Sequence, residues 1–234
     1  MPRNREKQYN LRAELDGARE SRAVAAQIDE VIAEMAEAAW DAEIAEGEAL
    51  YAADESADRD ADVAGGHVKI LCAELNELCR SIRTIGKSRF KLTDPVLSRQ
   101  FHDVPSAAHT VDDALTRANK LDGQWGRVPT PETWEPIPNL TRTPFQAEIT
   151  ALEAAFKEAQ DKAKAAQPLH ANAKAKAARI HQHRVAFRTE GLASFPTGSA
   201  KWQLFSHLPP TTPRKKRQSA DEGEGDGEPS APTG

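Results

Sequence analysis

The sequence predicts an all-α protein built from two tandem helical hairpins, and three observations lead there. Ala, Glu, Lys, Leu and Arg supply 108 of the 234 residues, a composition of long helices rather than of a sheet. Apolar residues return in steps of three and four over long stretches, the period of one helix face. Segments about 105 residues apart also resemble one another, the mark of an internal duplication. Two such units would bury their seams against each other as a four-helix bundle or coiled-coil arrangement.

The elements follow in chain order. Residues 1–17 read as an N-terminal arm, and 18–121 as the first helical unit. From Ala18 to Asp62 there is no proline, and Ile28, Ile32, Met35, Ala39 and Ala42 keep helical spacing, so one long helix or two nearly collinear ones are expected. Gly65-Gly66 should break it. Val68, Leu71, Leu75, Leu78, Ile82 and Ile85 then mark a second helix, with Gly86 expected at its end in the left-handed conformation that closes many helices. Residues 122–144 hold five prolines, so 122–143 read as an extended connector. Thr143-Pro144 suits a helix start. It opens the second unit, 144–209, whose seam is Phe145, Ile149, Leu152, Phe156, Ala159, Ala163 and Ala166, and Pro168 should interrupt it. Residues 210–234, basic and then acidic, contain too few apolar residues to order themselves.

The repeat is carried by residues that do not match cheaply. "WDAEIAEGEALY", residues 40–51, aligns with "FQAEITALEAAF", residues 145–156, placing Trp40 on Phe145 and Tyr51 on Phe156. Arg-Thr-x-Gly-x-x-x-Phe begins at Arg83 and again at Arg188. "FHDVP" from Phe101 and "FSHLP" from Phe205 complete the series.

Leu, Ile, Val and Phe together number 41 against 40 Ala, so the apolar core is thin and association with another chain is expected. The formal net charge of −5 argues against whole-surface attraction to nucleic acid or anionic lipid. Residues 18–62 hold 14 acidic and 3 basic side chains, whereas 64–91 hold 2 and 6; this asymmetry favours pairing of the first helix with a basic partner. No apolar run reaches membrane-spanning length, and the chain opens on polar residues, so a cytoplasmic protein without membrane contact is expected.

Motifs of catalysis are incomplete. Gly86-Lys87-Ser88 ends like a phosphate-cradling loop, but Ser81 stands where its first glycine belongs and a helix precedes it in place of a strand. Cys72 and Cys79 lie about 10.5 Å apart along a helix, too far for a disulfide. His181 and His183 point to opposite helix sides, and no Glu-x-x-His pair offers a metal site. Glu30, Glu34 and Glu37 read as a solvated or salt-bridged face. No catalytic residue, metal or cofactor is expected. Trp125 and Trp134 either cover the helical seam or, with Trp202, are candidates for contact with a protein partner, and Arg214, Lys215, Lys216 and Arg217 are candidates for contact with nucleic acid. The expected function is that of a non-enzymatic structural or adaptor protein acting through protein–protein association, with nucleic-acid association through the 214–217 cluster as the alternative.

Overall fold

The computed structural model describes residues 10–209, and every named element among them is a helix. Six helices succeed one another: α1 (Leu11–Ala25), α2 (Glu37–Arg89), α3 (Pro95–His102), α4 (Val111–Trp125), α5 (Arg142–Ser194) and α6 (Ala200–His207). Their lengths run 15, 53, 8 and again 15, 53, 8 residues. The arm before Asn10 and the tail from 210 lie outside the described residues.

Short helices begin where the sequence supplies a cap. The Asn10 side chain accepts from the Arg12 amide at 3.0 Å, and Asp94 accepts from the Leu97 amide at 2.9 Å with Pro95 following it. Thr110 and Asp113 form a reciprocal capping box, and Ser199 accepts from the Trp202 amide at 3.2 Å. Each satisfies an amide that the helix cannot. The two long helices begin without a side-chain cap; mutual packing holds them instead. They run antiparallel, as successive side-chain contacts show: Glu46 with Lys176, Asp54 with His170, and Asp60 with Lys162.

Two apolar cores sit at opposite ends of this pair. One joins Val68, Leu75, Cys79 and Ile82 of α2 to α3, to Ala114, Ala118, Leu121 and Trp125 of α4, and to Phe145, Ile149 and Leu152 of α5. The other joins α1 and Trp40 to Ala173, Ala177, Ile180 and Phe187 of α5 and to Phe205 of α6. Each core therefore draws on both long helices. Between them lies a waist in which α2 and α5 face mainly each other: residues 52–67 contain no buried side chain, and 156–172 contain one, Ala166.

Several expectations need correction. The series Ile28, Ile32 and Met35 is not helical: residues 26–36 form a loop in which Ala33 (φ 52°) and Glu34 (φ 61°) are left-handed. Ile32 and Met35 plug the second core from that loop, so burial, not a helix, explains their spacing. Gly65-Gly66 does not break α2, and Pro168 lies inside α5. Long Ala- and Glu-rich flanks propagate the helix through these residues once it is nucleated. The stretch 122–143 is not wholly extended, since α4 runs to Trp125 and α5 begins at Arg142, with Thr141 rather than Thr143 in the cap position.

Candidate functional site

Arg-Thr-x-Gly acquires a structural meaning at the end of α2. Gly86 is buried inside the helix, not beyond it, and has no left-handed backbone. A Cβ there would stand 2.7 Å from the ring of Phe101 in α3. Gly191 does the same for Phe205 of α6, at 2.2 Å. Both glycines are seats for an aromatic ring, a close approach that any side chain would obstruct; the expected helix-ending role is corrected accordingly.

Three further contacts fix α3 on α2. Ser98 Oγ donates to the Lys87 carbonyl at 2.7 Å. Arg83 Nε donates to the Val104 carbonyl at 2.7 Å, and Arg83 Nη2 donates to that of His102 at 2.9 Å. The crossing leaves an open cleft of about 640 Å³, with Lys87, Ser88 and Lys91 on one side and Pro95, Arg99 and His102 on the other. Lys87 and Ser88 are thus side chains on a helix surface, and the backbone amides that a phosphate-binding loop would offer are spent within the helix.

A second polar constellation lies between α1, α2 and α5. Glu43 and Lys176 are both buried, and Lys176 Nζ approaches Glu43 at 2.8 Å. Arg179 reaches the same carboxylate at 2.6 Å, and the exposed Glu46 also meets Lys176. The Lys176 hydrogen bond holds the Glu46 carboxyl below its ordinary pKa. Next to this, Arg184 Nη1 donates to Glu14 at 2.6 Å, and His181 Nδ1 lies 3.1 Å from the other oxygen of Glu14. His183 is half-buried on the Glu43 side. The arrangement neutralises charge by pairing. Among the described residues, no cluster of three His, Cys, Asp or Glu is arranged for a metal.

The tryptophans fall differently from one another. Trp125 is fully buried and stacks on Phe145 at 5.6 Å, while its Nε1 donates to the Pro131 carbonyl at 3.1 Å. It is a core residue, and partner contact through it would require the core to open. Trp134 is half-buried and covers that core, with its ring 5.1 Å from Trp125 and 5.5 Å from Phe90. Trp202 is half-buried on α6. Arg214, Lys215, Lys216 and Arg217 lie outside the described residues.

Of the carboxylates read as a salt-bridged face, Glu30 pairs with Lys201 at 2.7 Å and Glu37 with Arg22 at 2.6 Å, whereas Glu34 is exposed in the loop before α2. Cys72 and Cys79 are both free thiols; burial pushes Cys79 up to about 11. Sequence reasoning missed Arg117, which is buried beside Cys79 with Nη1 donating to Asn76 Oδ1 at 3.1 Å. No signal in a single sequence separates such an arginine from the exposed majority. No helix among the described residues is long and apolar enough to cross a membrane. Compared with family models, curated proteins and solved structures, the chain finds no match.

Proposed function

We propose that this chain is a non-enzymatic structural or adaptor protein, formed by duplication of a short-long-short helical unit, which acts through protein–protein association. The repeated order of lengths supports the duplication, as do the two glycine seats for Phe101 and Phe205. The observation that carries the functional reading is the waist. There α2 and α5 lean mainly on each other, and Val63 in the waist and Ile70 just beyond it, seven residues apart on one face of α2, are 69% and 59% exposed. A two-helix section cannot bury both of its faces, and a partner helix or a second copy laid along it would complete a bundle.

Light scattering across a concentration series tests this reading. Self-association, or a stable complex with a partner, that is lost in a Val63→Glu/Ile70→Glu variant supports it. A compact monomer at every concentration from which no partner is recovered overturns it. The nucleic-acid alternative rests on the Arg214–Arg217 run and predicts binding that weakens steeply with salt and falls when those four residues become Ala.

A further inference from the structure

The cleft between the end of α2 and α3 is lined by three cations, Lys87, Lys91 and Arg99, and by no carboxylate. Thr84, Lys87 and Ser88 of α2 and Lys91 from the turn after it line one side, and Pro95, Ser98, Arg99 and His102 of α3 line the other. Lys87 lies in the last turn of α2, where a cation complements the helix dipole, and Lys91 in the turn that follows. Neither these lysines nor Arg99 forms an ion pair with a carboxylate among the described residues. Asp94, the nearest acid along the chain to this crossing, is engaged at the α3 amide end by the Leu97 amide.

The matching place in the second half sharpens the point. Advancing by 105 residues carries α2 onto α5 and α3 onto α6, end to end. Lys87 and Lys91 then fall on Leu192 and Pro196, and Thr84 on Thr189; with Phe101 set on Phe205, the ring that fills the second seat, Arg99 falls on Gln203. The α5–α6 crossing is built on the same glycine-ring seat without a single cation at those three positions. Packing therefore does not explain them, and neither does solubility of a chain whose net charge is already −5.

We propose that this cleft binds the phosphate groups of a small phosphorylated ligand of nucleotide size. Lys87, Lys91 and Arg99 would supply the charge, the Ser88 hydroxyl a further hydrogen bond, and Pro95 an apolar wall for the remainder of the ligand. Arginine matches phosphate oxygens in bidentate geometry and lysine adds a mobile point charge. The volume, about 640 Å³, lies within the range of small-molecule sites. The ties from Ser98 and Arg83 hold the two walls in register before anything binds, so little ordering is needed on association. This site is independent of the waist and of the association reading built on it.

Calorimetric titration of the full chain tests the proposal with three probes: ATP, inorganic tripolyphosphate and a single-stranded 12-nucleotide DNA. To keep the basic run out of the measurement, Arg214, Lys215, Lys216 and Arg217 are changed to Ala throughout. Binding of ATP or tripolyphosphate is expected, weakening with salt. It should fall at least tenfold in Lys87→Gln/Lys91→Gln/Arg99→Gln and less than twofold in Lys69→Gln/Lys120→Gln/Lys157→Gln, which removes the same charge from exposed positions elsewhere. Should the triple variant fail to fold, Lys87→Leu alone, which copies the residue at position 192, should lower affinity at least threefold. Tighter binding of ATP than of tripolyphosphate identifies a nucleoside ligand, and equal binding identifies phosphate alone; both support the site. Absence of binding by ATP and tripolyphosphate at millimolar concentration overturns it, as do binding by the DNA alone and equal losses in the two triple variants.

Discussion

A Cβ placed on Gly17 of α1 would stand 2.0 Å from the guanidinium carbon of Arg184 in α5. Counting from the start of each helix, Gly17 corresponds to Arg117 of α4, and Arg184 to Cys79 of α2. Arg117 is buried beside Cys79, so each end of the molecule encloses one guanidinium at the matching place. The short helix brings it at one end and the long helix at the other. Two guanidiniums could not share either place, and the glycine and the cysteine are the small residues that admit the arginine opposite.

This relationship predicts a compensating exchange. Cys79→Arg alone brings a second buried cation against Arg117 and should cost about 3 kcal/mol or more. Adding Arg117→Gly reproduces the arrangement at the other end and should recover at least half of that loss. Adding Ala114→Glu, the counterpart of Glu14, should recover more. Urea denaturation of the three variants measures the coupling, and strictly additive losses would show that the two places are not equivalent.

The ring seats give a second expectation. Gly86→Ala and Gly191→Ala each force an aromatic ring to move from a site closed by close packing, at a cost of about 1–3 kcal/mol. The loss at Gly86 should shrink when Phe101 is also changed to Leu, because the methyl then has room. Thermal denaturation of the single and double variants reads this directly.

Much of the architecture was legible from these same residues, and the failures have physical causes. Phe145, Ile149 and Leu152 were readable as a helix face because they lie on one, buried in the first core. Ile28, Ile32 and Met35 keep the same spacing and lie in a loop, since apolar periodicity reports burial and only indirectly the backbone that delivers it. Nothing in Ala33 or Glu34 marks a left-handed residue. Gly86 was recognisable as special, but a glycine required by a left-handed turn and one required by an approaching ring look identical until the ring, fifteen residues on, is placed. Lys87 and Ser88 read as incidental for a related reason: their neighbours in the cleft come from α3, whose crossing no local pattern announces.

A pH dependence follows from the tie between α4 and α5. Arg142 Nε and Nη2 donate to the two oxygens of Asp122 at 2.8 and 2.9 Å, and Gln146 adds a further donor. The Arg142 hydrogen bonds, outweighing partial burial, hold the Asp122 carboxyl below its usual range. Its stabilisation is therefore fully present above the unfolded value of about 3.9 and is lost as pH falls through the lower folded value. Asp122→Asn should cost about 1–2 kcal/mol at pH 7, and its gap from the wild-type chain should close between about pH 4 and pH 2. Denaturant titrations at pH 7, 4.5 and 2.5 test the sign; a gap that widens on acidification would contradict it.

The helix breakers in the waist provide the last test. Gly65 and Gly66 have no atom within 4 Å of an added Cβ, so neither is kept by packing, and Pro168 removes one amide from the α5 ladder at an exposed position. Replacing both glycines with Ala should stabilise the chain by about 0.5–1 kcal/mol per residue, and Pro168→Ala by up to about 3 kcal/mol. These three residues sit where the two cores give no support, so the gain should appear first as slower amide exchange in residues 52–67 and 156–172. If the waist is the surface on which a partner assembles, stiffening it should also change the affinity of that assembly, measured by light scattering on the same variants. Stabilisation confined to the two end cores, with waist exchange unchanged, would show that the breakers do not set the stiffness of the α2–α5 pair.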